Sequence, residues 1–137
     1  MSKKTNEVSV NEYKSALRHL LDKKKIDNKL YFNILTFHYS AANQAITMTE
    51  LAAYLGYGDY SPANFRYGFI GRVFASHLDR YMPADKRGNC RYFSLVARTE
   101  VEDSQEKKTG KEFVFYLHKN LSTALEELGL VQQKLTV

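Results

Sequence analysis

The sequence predicts a single α+β domain in which several helices precede a pair of β-strands. Apolar residues recur at helical spacing through roughly the first 80 residues. Two later segments are rich in β-branched and aromatic residues, as strands are. No linker or repeat divides the 137 residues, a length at which one core can bury roughly two thirds of the unfolded surface. We expect the domain to cover residues 9–131, between a disordered basic N-terminus (1–8) and a tail (132–137).

The composition is that of an ordinary globular protein. Hydrophobic residues make up 44% and charged residues 26% of the chain. No apolar run approaches the roughly 20 residues that a membrane helix needs, so we expect a cytoplasmic protein without membrane contact. The lone Cys90 excludes an internal disulfide and is interpreted as a small packing residue.

The charge is basic and unevenly distributed. The net charge is +5. Residues 1–98 contain fifteen Lys and Arg against eight Asp and Glu, whereas residues 99–137 contain five against seven. The excess of positive charge in the first part of the chain favours a polyanionic partner and argues against an acidic DNA mimic.

Two helices are expected before the centre of the chain. Ser9 and Glu12 have the spacing of a capping box at the start of the first helix. Its apolar stripe consists of Tyr13, Leu17, Leu20 and Leu21. A second helix is predicted from a cap at Asp27 to about Tyr39, followed by a polar loop over residues 40–45.

The centre of the chain predicts a helix-turn-helix. Thr47 and Glu50 form a second capping box that opens the helix Met48–Leu55, and Gly56 is expected to close it in the left-handed conformation. After a turn, Ser61 and Pro62 suit the start of a long helix over residues 62–81, which Pro83 would stop. Gly68 and Gly71 in this helix are expected to permit close packing. Its predicted apolar side comprises Phe65, Phe69, Ile70, Val73, Phe74 and Leu78.

Strand patterns follow at residues 90–98 and 111–118, joined by a charged segment. Adjacent strands usually pair, so a two-stranded antiparallel hairpin is expected. A last helix over residues 121–128, capped by Asn120 and ended by Gly129, either closes the core or forms a homodimer contact. A helix-turn-helix followed by a hairpin, with extra flanking helices, is a winged-helix-like arrangement.

Residues 38–78 also contain a series of short residue motifs that is more specific than the helix signals alone. It consists of His38-Tyr39, Thr49-Glu50-Leu51-Ala52, Gly56-Tyr57, Ala63-Asn64, Tyr67-Gly68 and Gly71-Arg72. The segment, about forty of 137 residues, resembles a module at the N-terminal end of bacterial HNH-type, restriction-related endonucleases. The resemblance implies a target-binding module of a genome-defence or anti-defence system, acting beside an effector such as a nuclease. Phe65-Arg66 departs from the leucine and glutamine expected there.

Catalysis is not expected. The four histidines lie in four separate predicted elements, so we do not expect them to form the metal site of such a nuclease. They are His19, His38, His77 and His118. No metal or other cofactor is expected. The sequence contains neither a nucleophile elbow nor a phosphate-cradling glycine loop.

Duplex DNA, in ordinary or modified form, is the expected partner. Asn can bridge adenine and Arg can fork onto guanine from the first turns of a helix in the major groove. The tyrosines around the turn either stack on an unpaired base or fill the core. The predicted DNA-binding residues are Tyr57, Tyr60, Asn64, Arg66, Tyr67, Arg72, Arg80, Lys86, Arg87 and Arg91. The alternative is a phage- or plasmid-encoded inhibitor or adaptor that docks on a protein complex through Tyr57, Tyr60 and Phe65.

Overall fold

A computed structural model describes residues 7–24, 27–80, 92–101 and 113–132. These residues form five α-helices and a three-stranded antiparallel sheet. The elements are α1 (Val10–Leu20), α2 (Asn28–Ser40), β1 (Ala45–Ile46), α3 (Met48–Leu55), α4 (Tyr60–Leu78), β2 (Ala97–Val101), β3 (Phe113–Leu117) and α5 (Lys119–Glu127). None of the helices in this part of the chain is both long enough and apolar enough to cross a membrane.

The two N-terminal helices begin at the predicted positions, but only the first has the predicted side-chain cap. The Glu12 amide donates to Ser9 Oγ at 3.1 Å and the Ser9 amide donates to Glu12 Oε1 at 3.0 Å, which confirms the first capping box. Helix α2 begins after Asp27 as predicted, although the Asp27 side chain makes no capping hydrogen bond. It continues through Ser40, which was predicted to lie in a loop.

The two predicted central helices, α3 and α4, are present, but the bounds of α4 are shifted. The Thr47 and Glu50 capping box and the positive φ of Gly56, 82°, are confirmed. Helix α4 begins at Tyr60 rather than Pro62, because the Asp59 carboxylate accepts from the Ser61 amide at 2.7 Å. It ends at Leu78 rather than residue 81, since Asp79 adopts the left-handed conformation.

The buried side of α4 agrees in part with the predicted one. Ile70 and Phe74 are buried as predicted, and Phe69, Val73 and Leu78 are partly buried against the core. The buried residues of α4 are Ala63, Tyr67, Ile70, Gly71, Phe74 and Ala75. Phe65 is 67% exposed, so its assignment to the core was wrong. At Gly71 an added Cβ would lie 2.0 Å from the Tyr92 carbonyl oxygen, which confirms close packing there. The same prediction was wrong for Gly68, where an added Cβ would have no atom within 4 Å.

The sheet contains a strand that the sequence did not reveal. β1 pairs with β3, and β3 pairs with β2, so the order is β1-β3-β2. The first predicted strand was wrong in part, because Tyr92–Leu95 forms a 3-10 turn and β2 starts at Ala97. This turn is held by the Tyr13 hydroxyl, which donates to the Leu95 carbonyl at 2.7 Å.

Helix α5 contributes to the core. Leu121, Ala124 and Leu125 are fully buried, and α5 packs against α1. The helix begins at Lys119, two residues before the predicted start, and its N-cap position is occupied by His118 rather than Asn120. The Asn120 side chain instead donates to the Val8 carbonyl at 3.0 Å.

Candidate nucleic-acid interface

The outward side of α4 is an exposed surface of the part of the chain formed by α3, the turn and α4. The helix contains no Asp or Glu in its 19 residues. One side packs against α1, α3 and the 3-10 turn, and the other leaves Asn64, Phe65, Arg72 and Ser76 exposed. This surface, which we call the α4 outer face, combines amide, aromatic, guanidinium and hydroxyl groups without a carboxylate from the helix itself.

Asn64 and Phe65 lie near the N-terminal end of the α4 outer face. Phe65 has the largest exposed fraction, 67%, of the large hydrophobic side chains in the described residues. The Asn64 amide forms no hydrogen bond to another side chain within the described segments. Both groups are therefore accessible to a partner molecule.

Arg72 lies about two turns further along the same side. It is exposed and forms no ion pair with any described residue. Beside it is an open crevice between α1 and α4, lined by His19, Phe69, Arg72, Val73 and Ser76. A guanidinium and a hydroxyl beside a shallow apolar floor suit contact with a phosphate and its sugar.

Arg66 points away from Arg72. Six residues of α-helix place the two side chains about 120° apart around the axis. The Arg66 guanidinium faces α2, where it donates to the Tyr31 hydroxyl at 3.4 Å and lies 3.5 Å from an Asp27 carboxylate oxygen. The Tyr31 hydrogen bond raises the pKa of the guanidinium above its usual value. With 35% of its side chain exposed, Arg66 is partly accessible to a ligand, although it also makes intramolecular contacts with α2 and Asp27.

Of the three predicted tyrosines, one is excluded from the surface. Tyr67 is fully buried, and its hydroxyl lies 3.0 Å from His38 Nδ1, so its assignment as a DNA-contacting residue is corrected. Tyr60 is 57% exposed and Tyr57 is half-buried. Sequence reasoning missed Tyr54, which is 49% exposed and stacks on Phe37 with ring centroids 4.2 Å apart. Tyr54 follows the buried Ala52 by two residues, which places the two side chains about 160° apart around α3, and this spacing was the available signal.

His38 is a structural residue beneath this surface. Its Nε2–H donates to the Phe115 carbonyl at 2.8 Å, and its Nδ1 accepts from the Tyr67 hydroxyl at 3.0 Å. Burial lowers the pKa of the imidazole to about 4. The neutral ring joins α2, α4 and β3, and thereby fixes the position of α4 relative to the sheet.

Arg80 is also committed to the fold. Its Nη2 donates to both Glu12 carboxylate oxygens, at 2.6 Å and 2.7 Å, and only 13% of the side chain is exposed. The prediction that it contacts DNA is therefore corrected, because the guanidinium already holds α4 to the start of α1. The Ser9 amide and the Arg80 guanidinium lower the pKa of Glu12. The predicted contacts Lys86, Arg87 and Arg91, like Cys90, lie outside the described residues.

A further cation lies on the sheet. The Arg98 guanidinium on β2 stands 4.4 Å from the ring centroid of Tyr116 on β3. The two residues are paired in the strand register, and the Arg98 side chain is exposed. The cation–π contact orients a positive charge on the sheet surface. Sequence reasoning placed Arg98 in a strand but did not select it as a binding residue.

The described residues contain no group of three or more His, Cys, Asp or Glu side chains that could hold a metal ion. No protein-family model, curated protein or solved structure matches the chain.

Proposed function

We propose that this chain is a winged-helix-like module that binds duplex DNA by inserting α4 into the major groove. The observation that carries the proposal is the α4 outer face, a long exposed helical surface without a carboxylate on which Asn64, Phe65 and Arg72 are accessible. Helix-turn-helix proteins present the second helix of the motif to base edges in this way.

The connectivity of the fold supports the proposal. In chain order, α2, β1, α3, α4, β2 and β3 follow one another, and β3 lies between β1 and β2. Winged-helix domains have this order, with the loop between the last two strands as the wing. The corresponding position in this chain is residues 102–112, which lie outside the described residues.

The distribution of charge is consistent with a polyanion at this surface. Helices α1 and α2 both contact α4. Exposed basic residues occupy the last turn of α1, the segment after it and the first turn of α2, namely Arg18, Lys23, Lys24 and Lys29. Together with Arg72 they provide cations on the elements that flank the proposed recognition helix, where phosphate contacts position a protein on the duplex.

The resemblance of residues 38–78 to the N-terminal module of restriction-related endonucleases supplies a biological setting for the proposal. In that setting the chain provides target recognition, and a separate effector such as a nuclease acts on the bound DNA. This part of the proposal depends on the resemblance, whereas DNA binding depends on the α4 outer face.

A salt series of DNA binding tests the proposed function. The affinity for a mixed-sequence 30-base-pair duplex would be measured by fluorescence anisotropy from low to high salt. If about five phosphates are neutralised, log affinity should fall against log salt with a slope of about −4 to −5. Salt-independent binding, or none at low salt, would contradict the proposal.

Arg72→Ala provides the residue-level test of the same surface. Loss of one phosphate contact should weaken binding to all sequences and reduce the salt slope by about 1. Lys14→Ala is the charge-matched control, because Lys14 is paired with Glu127 on the α1–α5 side of the molecule. Equal effects of the two substitutions would show that only net charge matters.

The exposed aromatic residues favour a second candidate function. Tyr54, Tyr60 and Phe65 are 49%, 57% and 67% exposed, and large aromatic side chains are frequent anchors of protein interfaces. In this alternative the chain is an adaptor or inhibitor that docks on a protein complex. The absence of DNA retardation at low salt, together with saturable binding to a defence or nucleic-acid-processing complex, would favour it.

A further inference from the structure

We infer that Phe65 contacts the 5-methyl group of thymine, so that the duplex bound by this chain is selected partly for its A·T pairs. The inference rests on the proposed function, because it assigns a ligand group to one side chain of the α4 outer face.

The exposure of Phe65 is the first observation. Its ring is 67% exposed, and removal of apolar surface from water in a complex is favourable. Phe65 lies in the second turn of α4, and the N-terminal part of a recognition helix reaches the base edges. Within the major groove the thymine methyl is the apolar group that base pairs present, and Phe is one of the side chains that contact it.

The surroundings of Phe65 keep this contact sterically open. Gly68 lies one turn later on the same side, and an added Cβ there would have no atom within 4 Å. No side chain therefore projects from α4 at Gly68, next to the Phe65 ring, so the edge of a DNA groove can approach the helix there. Phe69, one turn after Phe65 in α4, does not stack on Phe65 and is instead stacked on Tyr31 with ring centroids 5.4 Å apart.

Asn64, the residue before Phe65, can make a contact that also selects A·T pairs. Its exposed amide can accept from adenine N6 and donate to adenine N7 in the bidentate arrangement that asparagine uses. An adenine bridged by Asn64 and a thymine methyl touched by Phe65 would both belong to A·T pairs. Arg72, further along α4, provides the positive charge for the phosphates of the same duplex.

The test compares two DNA pools that differ in one methyl group per thymine. A pool of random 30-base-pair duplexes is amplified with either thymidine or deoxyuridine triphosphate, and binding by the wild-type chain and by Phe65→Ala is measured at one salt concentration. Loss of one methyl contact should weaken wild-type binding to uracil DNA about fourfold, at about 0.8 kcal/mol per methyl-sized group. Phe65→Ala should bind both pools with equal affinity.

The Phe65→Ala variant also controls for differences in DNA shape, because any effect of uracil on the duplex itself would persist in it. Its fold should be intact, since the removed ring is exposed, and a thermal unfolding curve checks this. Equal binding of both pools by the wild type, or discrimination that survives in Phe65→Ala, would overturn the inference and leave DNA binding in place. Absence of binding to either pool at low salt would instead refute the proposed function.

Discussion

At the scale of single residues, His38 shows how a polar side chain is used inside this core. Its ring is fully buried and has a hydrogen-bond partner at each nitrogen, so no polar atom is left unsatisfied. The same burial makes the protonated form unfavourable. His38 therefore stabilises the fold only while it is neutral.

This residue predicts a pH dependence of stability. The native pKa of His38, about 4, lies below the value of 6.5 expected for the unfolded chain, so the unfolded state takes up the proton first as the pH falls. The contribution is fully present above pH 6.5 and is lost between pH 6.5 and 4, by about 3 kcal/mol in total. Urea denaturation at pH 7.5, 6 and 4.5 measures the free energy of unfolding across this range.

His38→Gln serves as the comparison, because it removes the titrating group while retaining a donor for the Phe115 carbonyl. We expect it to be less stable than the wild type at pH 7.5 and to have a shallower decline toward pH 4.5. If the two proteins lose stability in parallel, His38 is not the group responsible. The comparison also subtracts the titration of the carboxylates, which is common to both proteins.

At the scale of secondary-structure elements, α4 has two glycines with opposite roles. Gly71 is buried against the Tyr92 backbone, whereas Gly68 is half-exposed with open space around it. Both lower the intrinsic stability of the helix, by about 1 kcal/mol each relative to alanine. Only Gly71 recovers this cost through packing within the described chain.

Alanine substitutions at the two glycines should therefore change stability in opposite directions. Gly71→Ala would place its Cβ 2.0 Å from the Tyr92 carbonyl oxygen, so the 3-10 turn must shift; we expect a loss of about 1–3 kcal/mol. Gly68→Ala should raise stability by up to about 1 kcal/mol, because it improves helix propensity without a clash. Thermal unfolding monitored by circular dichroism measures both. A stabilised Gly71→Ala protein would contradict the packing described here.

At the scale of the whole molecule, the two ends of the described chain are packed together. Helix α5 lies against α1, and the Asn120 side chain donates to the Val8 carbonyl. The Tyr39 hydroxyl donates to Glu126 at 2.6 Å, which also ties α2 to α5. Helix α1, which packs against α4, is therefore itself held in place by α5 from the other end of the chain.

Global stability should consequently depend on the buried side of α5. Leu125 is fully buried, and Leu125→Ala should lower the free energy of unfolding by about 2–5 kcal/mol. Glu127→Ala on the same helix removes the partner of Lys14, a surface pair that contributes at most about 1 kcal/mol. Guanidinium denaturation would rank the two variants. A small effect of Leu125→Ala would mean that α5 is peripheral to the core.

The predictions from sequence that were confirmed depend on neighbouring residues. The capping boxes at Ser9 and Thr47 join residues three positions apart, and the left-handed Gly56 needs only its own backbone freedom. β1 was missed because a two-residue strand is too short to show a period-2 pattern, and its pairing partner β3 lies about 70 residues later.

For the candidate site, too, the features set by neighbouring residues were predictable from the sequence and those set by distant contacts were not. The sequence by itself determined the composition of α4, including its lack of acidic residues, the turn before it and the basic character of the chain. Only the tertiary structure decided that Phe65 is exposed, that Tyr67 is buried and that Arg80 is paired with Glu12, 68 residues away. The reason is physical: capping and turn energies arise within a few residues of chain, whereas the side of a helix that becomes buried is chosen by distant segments. Here the small residues Ala63, Gly71 and Ala75 lie on that buried side, which leaves the α4 outer face to solvent.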